Sequence, residues 1–199
     1  MRVDVRRSIV LLAVVLSALP VFAHPHVFID NTMQAVFSGR ELVRLDFHWS
    51  FDELFSSMIL QDYHPDSAGH FTAGQIAGIK KEAFDNLKNY HYFLALFLDD
   101  KALKLPPIAD FSVSVDGNSL VYSFSLPLAL DVGGSGRTLG VVIYDDTYYV
   151  AFKIMKVNDV ELVSADQISC ELSIRKTKVK AVWPGQYMPD EVMLAMKGK

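Results

Sequence analysis

Val43-Arg44-Leu45-Asp46-Phe47-His48-Trp49 is the stretch on which the fold turns. Val43, Leu45, Phe47 and Trp49 alternate with Arg44, Asp46 and His48. A period of two is the signature of a strand with one face buried and one in water. It places the four apolar residues in a core and His48 in solvent. Upstream, His26 to Phe37 also reads as extended, and Ser38-Gly39-Arg40 turns the chain between the two runs.

Downstream the period changes. Phe51 to Leu60 reads as helical. Asp62 to Gly69 is polar and turn-rich. Thr72 to about Tyr90 is the clearest helix: Thr72 and Gln75 have the capping-box spacing, and Ile76, Ile79, Ala83, Leu87 and Tyr90 fall on one face. His91 follows near that apolar face and reads as a core histidine.

The remainder is strand-rich. Phe93–Leu98 and Lys101–Leu105 flank Asp99-Asp100; Phe111–Val115 and Ser119–Leu126 flank Asp116-Gly117-Asn118, a hairpin signal. Leu139–Tyr144 and Tyr148–Ile154 flank Asp145-Asp146-Thr147. Val160–Val163 and Ser169–Ile174 follow. After Ile174 the chain is basic and then reads Trp183-Pro184-Gly185, so residues 176–199 are assigned to a loosely attached C-terminal tail. Strands, two helices, then many strands make an α+β domain over residues 24–175: an antiparallel β-sandwich with an inserted helical pair.

The first residues carry a different message. Arg2, Arg6 and Arg7 precede an apolar run from Ile9 to Leu19, and Ala23 closes a short-residue segment. This is the pattern of a cleavable signal peptide over residues 1–23. The run is shorter than the ~20 residues of a membrane-spanning helix, so no stable membrane insertion is expected after cleavage. The working chain then begins at His24 in the periplasm. Removing Arg2, Arg6, Arg7 and Asp4 shifts the net charge from −4 to −6, which argues against nucleic acid as a partner. The single cysteine, Cys170, cannot form an internal disulfide and reads as a structural thiol.

Cleavage before His24 exposes His24-Pro25-His26. The new α-amine and the His24 ring form one chelating arm. In extended chain the His26 ring points the same way, roughly 7 Å along. Imidazole suits zinc, nickel and copper. Pro25 lacks an amide N–H, which blocks the square-planar mode that uses successive amides. Asp52, Glu53 and Asp145 are candidate oxygen ligands for the same ion. Asp52 and Glu53 also suit a helix start, as cap and first-turn acid, and Asp145 suits a turn.

Residues 62–72 have the shape of a calcium loop around Gly69. Ala68 and Gln75 stand where a working loop needs oxygen-rich ligands and a final glutamate, so the loop reads as one that kept its form and lost its ion. No nucleophile elbow, phosphate-cradling loop or dinucleotide fingerprint is present, so no enzyme activity is read.

Five segments resemble a known family: residues 23–30 (Ala-His-Pro-His-Val-Phe-Ile-Asp), Trp49-Ser50-Phe51-Asp52-Glu53, the Asp66–Thr72 loop, residues 83–87 (Ala-Phe-Asp-Asn-Leu), and residues 144–152 (Tyr-Asp-Asp-Thr-Tyr-Tyr-Val-Ala-Phe). They resemble the bacterial exported domain-of-unknown-function 1007 family, often labelled a periplasmic component of an ABC-type transport system. The resemblance implies a periplasmic protein of a Gram-negative bacterium, found beside nickel/cobalt or zinc transport genes. Three functions are consistent with these readings. One is a periplasmic protein that buffers zinc or nickel/cobalt, or delivers it to an inner-membrane transporter. The second is a metal-free adaptor of a transport system. The third is a copper redox enzyme with an N-terminal histidine site.

Overall fold

The computed structural model describes residues 26–153, 155–177 and 188–199. The alternating stretch forms β2 (Glu41–Phe51), paired antiparallel to β1 (Val27–Ser38) on one side and to β6 (Ser119–Asp131) on the other. Leu45, Phe47 and Trp49 are fully buried, and His48 is exposed. Val43 departs from the expected alternation. Val36 pairs with Arg44 and Phe37 with Leu42, so Val43 bulges from the ladder and Leu42 takes the core position.

Two sheets form the sandwich. The first runs β5-β6-β2-β1-β8, with β5 at Ala109–Asp116 and β8 at Val150–Phe152; β9 (Val160–Val163) also pairs with β1. The second runs β10-β11-β7-β3-β4, comprising Ile168–Lys176, Asp190–Gly198, Arg137–Ile143, Leu94–Leu98 and Lys101–Leu103 in that spatial order. Inner-face residues of both sheets join one hydrophobic cluster, including Trp49, Phe124, Leu139 and Leu194. The α+β sandwich with an inserted helical pair is therefore the observed architecture. Most pairings are antiparallel, but β8 and β9 run parallel to β1. The strands flanking Asp145-Asp146-Thr147 thus do not pair with each other. That segment carries the chain from the second sheet to the first.

The helical pair covers one end of the first sheet. Helix α1 (Glu53–Asp62) is docked by Ser56, whose buried hydroxyl oxygen accepts from Leu120 N at 2.8 Å. Helix α2 (Ala73–Ile79) starts at Thr72 with a complete capping box to Gln75. The helical path then loosens into a π turn over Lys80–Phe84 and a 3-10 run over Asp85–Phe93. Phe84 is buried there against Phe111, Tyr122 and Phe124. His91 is exposed rather than in the core: it stands at φ +52° where the helical path ends.

Of two further expectations, one is met and one is corrected. The Asp99-Asp100 hairpin forms, with both residues at positive φ as a two-residue turn demands. The tail, however, is no tail over its last stretch. Residues 190–198 form β11, an inner strand flanked by β10 and β7. Val192, Met193, Leu194 and Met196 are buried. Burying one such side chain contributes about 1.5–3 kcal/mol, enough to hold the segment in the sheet. Residues 178–187 of the assigned tail lie outside the described residues.

Among the described residues, Glu191 of β11 is the most deeply buried charge, at 1% exposure. Arg175 faces it across the ladder and bonds both carboxylate oxygens, at 2.9 and 3.0 Å, while also reaching Asp100 at 2.7 Å. The carboxylate lies over Gly140, where an added Cβ would come within 1.9 Å of Oε1. Gly140→Ala is therefore expected to push Glu191 off Arg175 and lower stability by about 3 kcal/mol, the scale for breaking a buried ion pair. Urea unfolding checks this; an unchanged midpoint would show that the pair shifts freely.

Candidate functional site

Asp145 organises the crossover between the sheets. It is 6% exposed. Its Oδ1 accepts from Thr147 N at 2.9 Å and from Thr147 Oγ1 at 2.7 Å. Its Oδ2 accepts from Tyr149 N at 3.1 Å and Val150 N at 2.9 Å. The turn-forming reading of Asp145 holds, and these donors fill the lone pairs that a metal ion would need. Tyr149 O in turn accepts from the backbone N–H of His26 at 2.8 Å and of Val27 at 3.3 Å. The corner thus anchors the start of β1, with the His26 ring centroid 5.0 Å from that of Tyr149.

The other expected ligands are similarly engaged. Asp52 caps α1 through Oδ1, accepting from Phe55 N at 2.9 Å, and Oδ2 accepts from Phe28 N at 2.6 Å. Glu53 is exposed in the first turn of α1, and its Oε1 accepts from Asn118 at 2.9 Å. His24 lies outside the described residues. Among those described, no three histidine, cysteine, aspartate or glutamate side chains converge as a metal cluster. The structure brings the backbone of His26, Asp145 and Asp52 to one end of β1, but turns both aspartates toward peptide N–H groups.

The Asp62–Thr72 loop is closed by its own hydrogen bonds. Asp66 Oδ1 accepts from Ala68 N and His70 N at 2.9 and 2.8 Å. The His70 N–H bond, ahead of the Ala68 bond and the His70 charge, holds the Asp66 carboxyl below its usual range. Gln75 donates to His64 O at 2.8 Å. Gly69 sits at φ +81°, pressed on β5 so that a Cβ would meet Val115 O at 2.6 Å. The loop packs on β5 at Gly69, and its Asp66 Oδ1 and Gln75 bonds hold the turn.

Above the corner lies an apolar cavity of about 320 Å³, bounded by β1, β2, the helical path and the crossover. Trp49, Phe51, Phe55, Phe93 and Tyr122 form much of its wall, with Asp145 beside them. Tyr90 and Tyr149 also line it and are 50% and 55% exposed, so they mark where it meets solvent. The sequence pattern placed Trp49 in a core and Tyr90 on the apolar face of a helix. The available signal was two polar-tipped aromatics, Trp49 and Tyr122, in the inward phase of predicted strands.

A family model described as a protein of unknown function, DUF1007, matches residues 9–191. The chain belongs to the DUF1007 family. An uncharacterised 15.5 kDa protein from the trpE 3′ region of Spirochaeta aurantia is 30% identical over 131 residues, 66% of this chain and 93% of that protein. An uncharacterised protein of Haemophilus influenzae is 29% identical over 133 residues, 66% of this chain. The chain spans 63% of that protein's length. The DUF1007 match encloses the β1 start, the α1 cap and the crossover, so the whole corner lies within the family region.

Two tests follow from the corner and from Cys170. Asp145→Asn is expected to put an amide N–H₂ against peptide donors and to destabilise the fold by about 2 kcal/mol. Hydrogen exchange at Tyr149 and Val150 amides should quicken most; unchanged exchange would show that the carboxylate is dispensable. Burial pushes the Cys170 thiol up to about 11. At pH 8 only about 0.1% is then thiolate, the reactive form. Alkylation by iodoacetamide should be slow and rise about tenfold per pH unit up to that value. A plateau near pH 8.5 would contradict it.

Proposed function

We propose that this DUF1007 protein is an exported, non-catalytic module that takes up a transition metal ion in the periplasm and passes it to an inner-membrane transporter. Zinc or nickel/cobalt is the cargo, with copper the remaining candidate. The ligands are the α-amine and ring of His24 and the ring of His26. The carrying observation is the anchoring of His26: its N–H is held by Tyr149 O at 2.8 Å, and its ring lies beside that of Tyr149. A ring set on a fixed strand loses less freedom on binding than one on a frayed end.

The spent carboxylates shape this reading. Asp52 and Asp145 give their oxygens to peptide donors, so a few nitrogens and water complete the shell. Such an open shell favours exchange, which suits transfer over storage. A metal-free adaptor role draws support from α1, where Leu54 and Met58 are 68% and 59% exposed and share one helical face. The copper redox alternative would add oxygen consumption with a reductant.

The test uses the processed chain beginning at His24. It should bind zinc, nickel or copper with a Kd below about 10 μM, the micromolar range of exchangeable sites. One extra residue before His24, or His26→Ala, should weaken this at least tenfold. Unchanged affinity in both variants would remove the histidine site. Absence of binding in the parent, with Leu54→Asp/Met58→Asp abolishing transporter association, would leave the adaptor.

A further inference from the structure

The open edges of the two sheets are not alike. An edge strand presents unpaired peptide groups, and folds blunt such edges with short strands, bulges, proline, lysine or a covering loop. Strands β4 and β8 have three residues each, and β9 has four. Strand β5 is bulged between Ala109 and Ser112, and the Asp62–Thr72 loop covers it: His70 bridges to Ser114, and Val115 N donates to Gly69 O at 3.0 Å. Strand β10 has none of these protections. It is nine residues long and pairs with β11 without a register shift. From Ile168 to Arg175 it contains no proline, glycine or lysine.

The ladder fixes which peptide groups of β10 face outward. Just beyond the two ends of the strand, Lys199 N donates to Gln167 O at 2.9 Å and Thr177 N to Pro189 O at 3.1 Å. Peptide groups along an antiparallel strand alternate in direction. The odd-numbered residues therefore bond β11, and the N–H and C=O of Cys170, Leu172 and Ile174 point away from it. Among the described residues, none of these outward groups has a hydrogen-bond partner. The 3-10 turn at Val157–Asp159 lies beside β10 without a hydrogen bond to it among the described residues.

The side chains add a self-complementary pattern. Cys170 and Leu172 are half-buried at the rim of the core, and Ile174 is exposed. On the opposite face Glu171 is exposed and has no ion-pair partner among the described residues. Arg175 grips Glu191 and Asp100 through Nε and Nη2, which leaves Nη1 without a partner among the described residues. Glu171 and Arg175 stand about 13 Å apart along one strand, too far to pair within a chain. A second copy laid antiparallel about a two-fold axis at Ser173 changes this. Leu172 and Ile174 of one copy then oppose Ile174 and Leu172 of the other, so their outward peptide groups bond. Glu171 of each copy opposes Arg175 of the other, a favourable cross-strand pair. An axis at Leu172 or Ile174 keeps the peptide match and loses the charge match.

We propose that β10 is a self-association edge: two copies of the chain pair antiparallel through it about a two-fold axis at Ser173, joining their five-stranded sheets into one. Each copy offers the same ribbon, as an isologous contact requires. This surface is separate from the histidine site and from α1, and it rests on neither.

Sedimentation equilibrium of the purified protein should give a monomer–dimer Kd on the order of 10 μM, in keeping with a small interface. Leu172→Pro should weaken it about tenfold or more; the lost N–H faces outward, so the β11 ladder keeps its bonds. Glu171→Arg, which sets like charges opposite each other, should weaken it too. Cross-linking in a Cys170→Ala chain reads the register. Facing residues of a non-hydrogen-bonded pair have Cα atoms about 4.5 Å apart, within disulfide reach. Ser173→Cys should therefore form a disulfide dimer with diamide. Ser169→Cys should not, because the two copies of that residue would lie about 25 Å apart. Far-UV circular dichroism verifies that each variant is folded, and the contrast between residues 173 and 169 decides the matter if Leu172→Pro is not. A monomer at about 0.5 mM, which would leave the edge to another protein, would overturn the proposal. So would a dimer that survives Leu172→Pro and Glu171→Arg but is lost in Leu54→Asp/Met58→Asp, or equal cross-linking at residues 169 and 173.

Discussion

A single buried carboxylate holds the corner on which the site depends. The chain must leave β7 in one sheet and enter β8 in the other, and a crossing segment cannot satisfy its peptide N–H groups by strand pairing. Asp145 takes three of them, from Thr147, Tyr149 and Val150. Charge-assisted bonds of this kind are about twice as strong as neutral ones. Because Tyr149 is fixed, its carbonyl can receive the first peptide groups of β1, and its ring can stand at the mouth of the aromatic cavity. The start of β1 and the aromatic cavity therefore share one structural support.

That economy shows what the acidic residues do in the fold. Asp52, Asp145 and Asp66 each sit two to five residues before the N–H groups they accept from within their own turn or helix start. Short acidic side chains favour this local bonding, and once so bonded they have little left for a cation. The same chemistry that makes an aspartate look like a ligand in sequence makes it a cap or a turn in the fold. His26 is different because only its backbone is engaged by the corner, while its ring stays at the surface beside Tyr149.

Local pattern made much of this architecture legible. The alternation of β2, the Thr72–Gln75 box and the Asp99-Asp100 turn are decided by neighbours a few residues apart, and each is found as read. What escaped was decided at long range. The bulge at Val43 depends on how β1 pairs across it. The inner position of β11 depends on β10 and β7, which flank it, although Val192-Met193-Leu194-Ala195-Met196 has the continuous apolar run of a strand buried on both faces. The crossover at Asp145 looked like a hairpin turn because a turn-former acts alike in either setting. His91 was misplaced because helical periodicity was extended past the point where the backbone reaches positive φ.

Trp49 and Tyr122 show where pattern reading stops. Alternation correctly buries Trp49 and pairing opposes it to Tyr122, yet burial alone would be served as well by leucine and phenylalanine. An indole and a phenol bring donors into a region with nothing to receive them, which reduces stability relative to apolar rings of similar size. Both atoms are closed to solvent, and the edge-on aromatic contacts of Trp49 with Phe124 and of Tyr122 with Phe51 are what offset that cost.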